Sequence, residues 1–64
     1  MKFSDMDMLQ DYEKDTRMAA LAYSLIQTEV LDNQLRKLFK IASDEAAKSQ
    51  QIFSNLIIER GDRP

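Results

Sequence analysis

The chain has 64 residues, enough for one domain with a small core, and it contains neither cysteine nor histidine. These absences exclude a disulfide framework and a Cys/His zinc site as sources of stability, so oligomerisation is the remaining route. The formal net charge is −2, with both signs spread along the chain, which argues against a dedicated nucleic-acid-binding surface.

The apolar runs are short, as at Met18 to Ala22 and Leu56 to Ile58. A helix needs about 20 mostly apolar residues to span a bilayer, so we expect no membrane-spanning segment and no membrane partner. The first residues lack the apolar core of a signal peptide and carry acids where such a peptide carries bases. The sequence therefore predicts a protein that is made in the cytoplasm and stays there unless a partner carries it elsewhere.

The composition favours helix over residues 1–60, because the single glycine and the single proline are Gly61 and Pro64. Ser4 is a suitable N-cap for a first helix, since Asp7 follows three residues later and acidic side chains suit a helix N-terminus. We place this helix at about residues 5–30.

The first predicted helix carries a broad apolar stripe. Its main row recurs at alternating steps of three and four, the spacing of a seam between packed helices, and consists of Leu9, Tyr12, Thr16, Ala19, Tyr23, Ile26 and Val30. A second row widens the stripe and consists of Met18, Leu21, Ala22 and Leu25. A helix apolar over so wide an arc is expected to contact more than one neighbouring helix.

The helical phase breaks after Val30, where further steps of three and four fall on polar residues. Asp32 is a suitable N-cap there, and Asp32 with Arg36 makes a favourable i,i+4 charge pair. We predict a tight turn at residues 30–32 and a second helix at about 33–60, followed by Gly61 as a left-handed cap. One unbroken helix is the alternative, because the turn contains neither glycine nor proline.

Two helices of similar length joined by a short turn predict an all-α antiparallel hairpin, a single domain over residues 1–64. A hairpin this small is marginal alone, and two copies related by a twofold axis would complete a four-helix bundle. We predict a homodimer whose interface contains Leu9, Tyr12, Ala19, Tyr23, Ile26, Leu35, Leu38, Phe39, Ala42, Phe53 and Leu56.

A carboxylate metal site is the chemistry most often found inside such a bundle, and its candidates are Glu13, Glu29, Glu45 and Glu59. Di-iron and di-manganese sites also use histidine, which this chain lacks, so we expect all four glutamates to be solvated and no metal or cofactor to be bound. A degenerate carboxylate site is the alternative, and it requires at least two of these side chains to converge.

Catalysis is not expected. A nucleophilic serine, threonine or lysine needs a base beside it, and the usual histidine and cysteine partners are absent. A single glycine leaves no glycine-rich phosphate loop. We therefore predict a non-enzymatic protein without catalytic residues.

A basic cluster, Arg36, Lys37 and Lys40, follows the predicted turn. It is either a contact for an acidic partner or an ordinary surface neutralised by Glu29, Asp32 and solvent.

The sequence around the turn carries a family resemblance. The chain resembles the Coat F domain family of spore-forming bacteria over residues 25–36, LIQTEVLDNQLR. The resemblance also includes Met8-Leu9 and Lys14 before this stretch, and Phe53 and the ERG of residues 59–61 after it. In that ferritin-like hairpin the first helix ends in A-L-T-E, the second opens with L-R, and a glycine follows it. Thr28-Glu29, Leu35-Arg36 and Gly61 fit, whereas Asn33 stands where the family often has proline, and the family's aromatic-rich ending is absent.

The resemblance implies a spore-coat-associated structural protein, located in the spore coat after synthesis, and it supplies no catalytic residues. The resemblance and the predicted homodimer together predict a structural or assembly protein that docks on other coat proteins. A small regulatory adaptor, which binds a larger protein through one face of the hairpin, is the alternative function.

Overall fold

The computed structural model describes residues 4–64 and contains two helices, which confirms the predicted all-α hairpin. Helix α1 spans Asp5–Glu29 and helix α2 spans Asn33–Glu59. The predicted bounds run one residue past the end of each helix. Residues 1–3 of the predicted domain lie outside the described residues. Neither helix is long and apolar enough within residues 4–64 to cross a membrane.

Helix α1 begins with a complete capping box. The Ser4 hydroxyl accepts a hydrogen bond from the Asp7 backbone N–H at 3.1 Å, and the Asp7 carboxylate accepts one from the Ser4 backbone N–H at 3.0 Å. The Ser4 backbone N–H, and after it the Ser4 hydroxyl, stabilise the charged carboxylate and hold the pKa of Asp7 below its ordinary value. The cap therefore contributes stability above the ordinary pKa of an aspartate and loses it as the pH falls through the lowered pKa.

The turn at residues 30–32 is closed by hydrogen bonds at both sides. The Val30 N–H donates to the Ile26 carbonyl at 3.1 Å, and the Asp32 carboxylate accepts from the Leu35 N–H at 3.0 Å, as predicted for an N-cap. The predicted Asp32–Arg36 ion pair is wrong, although both residues lie in the described part of the chain. The Arg36 Nε instead donates to the Val30 carbonyl at 2.6 Å and supports the turn without glycine or proline.

Helix α2 ends in a Schellman motif. Gly61 has a φ of +86°, a conformation that favours glycine, and this confirms the predicted left-handed cap. The Gly61 N–H donates to the Ile58 carbonyl at 3.0 Å and the Asp62 N–H to the Ile57 carbonyl at 3.1 Å. Beyond the cap the chain folds back towards α1, where the Gln10 side-chain amide donates to the Arg63 carbonyl.

The seam between α1 and α2 is small and largely polar. Ile57 and Glu13 are 0% and 1% exposed, and Ser43 and Ser54 are also buried. Five of the seven residues of the predicted α1 row are half-buried, whereas Tyr12 and Ile26 are 51% and 38% exposed, and the buried Glu13 lies beside Tyr12. Small residues at the observed seam allow the helices to approach closely, and the bulkier rings lie at its edge.

The Asp32 cap can be tested by replacing Asp32 with alanine. We expect Asp32→Ala to lower the free energy of unfolding by about 1 kcal/mol, because the Leu35 N–H loses its acceptor. Asp32→Asn is the matched control, since asparagine caps a helix about as well as aspartate. Thermal unfolding followed by circular dichroism at one protein concentration measures both variants, and equal losses in the two would contradict the capping role.

Candidate interaction surface

One side of the hairpin carries two aromatic pairs that bridge the helices. The ring centroids of Tyr12 and Phe53 lie 4.4 Å apart, and those of Tyr23 and Phe39 lie 6.3 Å apart. Tyr12 and Tyr23 are separated by about three helical turns, so both rings project from the same side of α1. We name this side of the hairpin the aromatic face.

Helical spacing places further apolar residues on the aromatic face. Among the more exposed of them, Leu35 and Leu38 are 47% and 60% exposed, and Ile26 is 38% exposed. At the end near the chain termini, a shallow groove is lined by Met8, Leu9, Tyr12 and Phe53, with Asp5 and Arg60 at its edge. The half-buried members of the face are Leu9, Ala19, Tyr23, Phe39, Ala42, Phe53 and Leu56.

Every residue predicted for the dimer interface therefore lies on the aromatic face. Their contact with a second copy stays a prediction, because the structure contains one chain. Met8, which is 54% exposed and lines the groove, was missed. Met8 is four residues, about one helical turn, before Tyr12, and this spacing indicates that both lie on the same face of α1.

Glu13 is a buried carboxylate in the seam, and the prediction that it is solvated is wrong. Its Oε1 accepts a hydrogen bond from the Gln50 side-chain amide at 3.2 Å. The Arg17 Nη2 lies 3.5 Å from Oε2, which is buried and has no hydrogen-bond partner. Arg17 is itself half exposed, so the guanidinium reaches the carboxylate from the solvent edge. One amide and one cation thus compensate the burial of this charge only in part.

The other candidate glutamates do not join Glu13. Glu29, Glu45 and Glu59 are exposed, and Glu45 lies 3.5 Å from the Lys48 ammonium. Within residues 4–64, no three Asp or Glu side chains are grouped closely enough to hold a metal ion. The alternative of a degenerate carboxylate site needs two inward glutamates, whereas the described chain buries Glu13 alone of the four.

Two serines form a second polar contact across the seam. The Ser24 and Ser43 hydroxyls lie 2.6 Å apart, and Ser43 also donates to the Ala20 carbonyl at 3.2 Å. Together with Glu13 and Gln50, these hydroxyls fix how far one helix can slide along the other. Sequence reasoning missed this contact, because a serine inside a helix gives no local signal of its distant partner.

Arg36, Lys37 and Lys40 of the basic cluster are all exposed. Arg36 lines a shallow depression together with Gln27 and Thr28 of α1. By helical spacing these cations lie away from the aromatic face.

Comparison with protein-family models, curated proteins and solved structures finds no match to this chain. The resemblance to the Coat F family therefore stays a prediction from the motifs around the turn.

Replacing the buried polar pair tests its effect on stability. We expect Glu13→Leu with Gln50→Leu to raise the free energy of unfolding by about 1–4 kcal/mol, since well-packed apolar residues in place of a buried charge and its partner are often stabilising. Glu13→Leu alone should gain less, because the Gln50 amide is left without its acceptor. Chemical denaturation at a fixed protein concentration measures these changes. A double variant less stable than the original chain would show that the pair is a net source of stability.

Proposed function

We propose that this chain is a non-enzymatic structural protein that self-associates through its aromatic face into a four-helix bundle. The observation that supports it is the inverted distribution of apolar residues. Within residues 4–64, Ile57 is the one large hydrophobic residue that is fully buried, whereas Tyr12, Leu35 and Leu38 are about half exposed or more. Hydrophobic burial is the main favourable term in folding, so the isolated hairpin lacks most of what would stabilise it.

The total surface of the hairpin supports the same proposal. The chain exposes 5181 Å². A compact monomer of 7.4 kDa is expected to expose about 4200 Å². The excess is roughly 1000 Å², close to the ~800 Å² that each partner buries in a standard interface. A second copy is the simplest way to cover it.

The shape of the aromatic face suits a second copy of itself. Ala19 and Ala42 lie along the helices between the two aromatic pairs, so a shallow centre is bounded by bulky rings. In a twofold dimer the same patch meets itself, and rings of one copy would pack beside the alanines of the other. An apolar patch meeting itself also brings no like charges together at its centre.

The Coat F resemblance supports a place for this dimer in an assembled protein layer. The exposed basic and apolar surfaces outside the aromatic face would then dock on other coat proteins.

The dimer is tested by the substitution Leu38→Gln on the aromatic face. Each buried leucine contributes about 1.5–3 kcal/mol, and every dimer buries two copies, so we expect the dimer to weaken at least tenfold. Leu25→Gln is the matched control, because Leu25 is 66% exposed on the opposite side of the hairpin. Leucine and glutamine have similar helix propensities, so neither change acts through the helix itself.

Sedimentation velocity over a concentration series gives the mass of each variant, and circular dichroism follows helicity on dilution. The expected result is a dimer for the original chain and for Leu25→Gln, with helix lost as the dimer dissociates. A fully helical monomer at every concentration would overturn the proposal. It would favour the adaptor function, in which a larger protein covers the aromatic face.

A further inference from the structure

Bulky and small side chains follow each other at the same spacing on both helices of the aromatic face. Tyr12 packs beside Phe53. Seven residues towards the turn from each ring stand Ala19 on α1 and Ala46 on α2. Each alanine therefore lies on the same side of its helix as the ring, about 10 Å further along. The Tyr12–Phe53 pair is thus followed by a pair of alanines at one height of the hairpin.

The direction of a twofold axis decides what this pattern meets in a second copy. An axis parallel to the helices keeps every residue at the height of its own copy, so both turns lie at the same end. Rings then meet rings, alanines meet alanines, and the faces are held apart at the alanines, which lose their contacts. An axis perpendicular to the helices reverses the heights and places the turns at opposite ends. This second arrangement allows the rings of one copy to sit on the alanines of the other.

One position of the perpendicular axis seats both rings at once. Tyr12 meets Ala19 of a second copy when the axis crosses α1 between residues 15 and 16. Phe53 meets Ala46 when the axis crosses α2 between residues 49 and 50. The two crossing points lie at one height, because Tyr12 is beside Phe53. The side chains of the face nearest this axis are small and half-buried, and they are Thr16 and Ser49.

The same axis position places the second ring pair, Tyr23 and Phe39, against the groove. It sets Tyr23 of one copy opposite Met8 of the other, and Phe39 opposite Arg60. Met8 and Arg60 both line the groove near the chain termini. A thioether and a guanidinium are favourable neighbours of an aromatic ring. The axis that seats the first ring pair on the alanines therefore also fills the groove, which was not used to choose it.

The charges at the two ends of the hairpin support the reversed orientation. Within residues 4–64, the end with the chain termini, residues 4–12 and 52–64, carries more acidic than basic side chains, whereas the turn end, residues 22–41, carries more basic ones. The first set is Asp5, Asp7, Asp11, Glu59 and Asp62 with Arg60 and Arg63, and the second is Glu29 and Asp32 with Arg36, Lys37 and Lys40, all exposed. Counting Lys2, which lies outside the described residues, leaves the first end acidic. Turns at opposite ends bring unlike ends together.

We propose that two copies pack in opposite directions through the aromatic face, with the Tyr23 and Phe39 rings of each copy in the groove of the other. The groove is incomplete in one chain and is closed by the second. This proposal rests on the self-association proposed above, and it adds the orientation of the copies and the residues that meet.

Single cysteines test the orientation, because the chain has no thiol of its own. Asp11 and Asp15 are exposed and line a second shallow depression beside Tyr12, at the edge of the aromatic face. Asp15 lies at the height of the axis, whereas the two copies of Asp11 are about 12 Å further apart along the helices. We expect a short bis-maleimide crosslinker to join Asp15→Cys to its own copy about tenfold faster, or more, than the matched control Asp11→Cys.

A mixture of Asp5→Cys chains and Arg60→Cys chains tests the same-end orientation. With both turns at the same end, Asp5 of one copy lies beside Arg60 of the other, and the crosslinker joins the two chains there. With the turns at opposite ends, these two residues are separated by most of the length of the hairpin. We expect no crosslink between residue 5 of one chain and residue 60 of another, as read by mass spectrometry of the crosslinked peptides.

A larger side chain in place of an alanine tests the fit. Ala19→Leu should weaken the dimer about tenfold or more in sedimentation, because two rings per dimer lose their seats. In the same-end orientation the added side chains would fill the gap between opposed alanines, and the dimer would be unchanged or tighter. Ala47→Leu is the matched control and should leave the dimer unchanged. Ala47 is exposed and lies about 120° around α2 from Phe53.

The orientation and the dimer fail in different ways. Sedimentation with reductant first gives the mass of every cysteine variant. A crosslink between residues 5 and 60 of different chains, or an Ala19→Leu dimer as tight as the original, would overturn the orientation and leave the dimer in place. A monomer in every run, including the original chain, would overturn the self-association and the orientation with it.

Discussion

The polar seam between the two helices is the constraint on which the rest of the structure depends. Where a helical hairpin usually buries its bulkiest apolar side chains, this one places the Glu13–Gln50 hydrogen bond and the Ser24–Ser43 contact. Small hydroxyls and a paired amide allow close approach but bury little apolar surface. The large apolar residues are consequently turned outward, and the hairpin presents them on two opposite sides.

The two outward surfaces differ in extent and composition. The aromatic face is continuous across both helices, because Tyr12 packs on Phe53 and Tyr23 on Phe39. On the opposite side of the hairpin, Met18, Leu21 and Leu25 are exposed on α1. A surface that is apolar on both helices suits contact with an identical copy.

Features set by neighbouring residues could be predicted from the sequence, and features set by distant residues could not. The Ser4, Asp32 and Gly61 caps each depend on residues within five positions, and all three are confirmed. The exposure of Tyr12 and the burial of Glu13 beside it were missed, because an aromatic side chain is buried far more often than a glutamate. The burial of Glu13 depends on Gln50, which is 37 positions away and leaves no local signal.

A polar seam also determines which surfaces face outward. A uniformly apolar seam would tolerate rotation or sliding of α1 against α2, and each such shift would redistribute the exposed residues. The Glu13–Gln50 and Ser24–Ser43 contacts form in one register only, since a slip by one residue separates both pairs. We infer that the polar seam lowers the stability of the isolated hairpin and at the same time fixes the orientation of its two outward surfaces. In the proposed dimer, covering the aromatic face would restore that stability and couple folding to assembly.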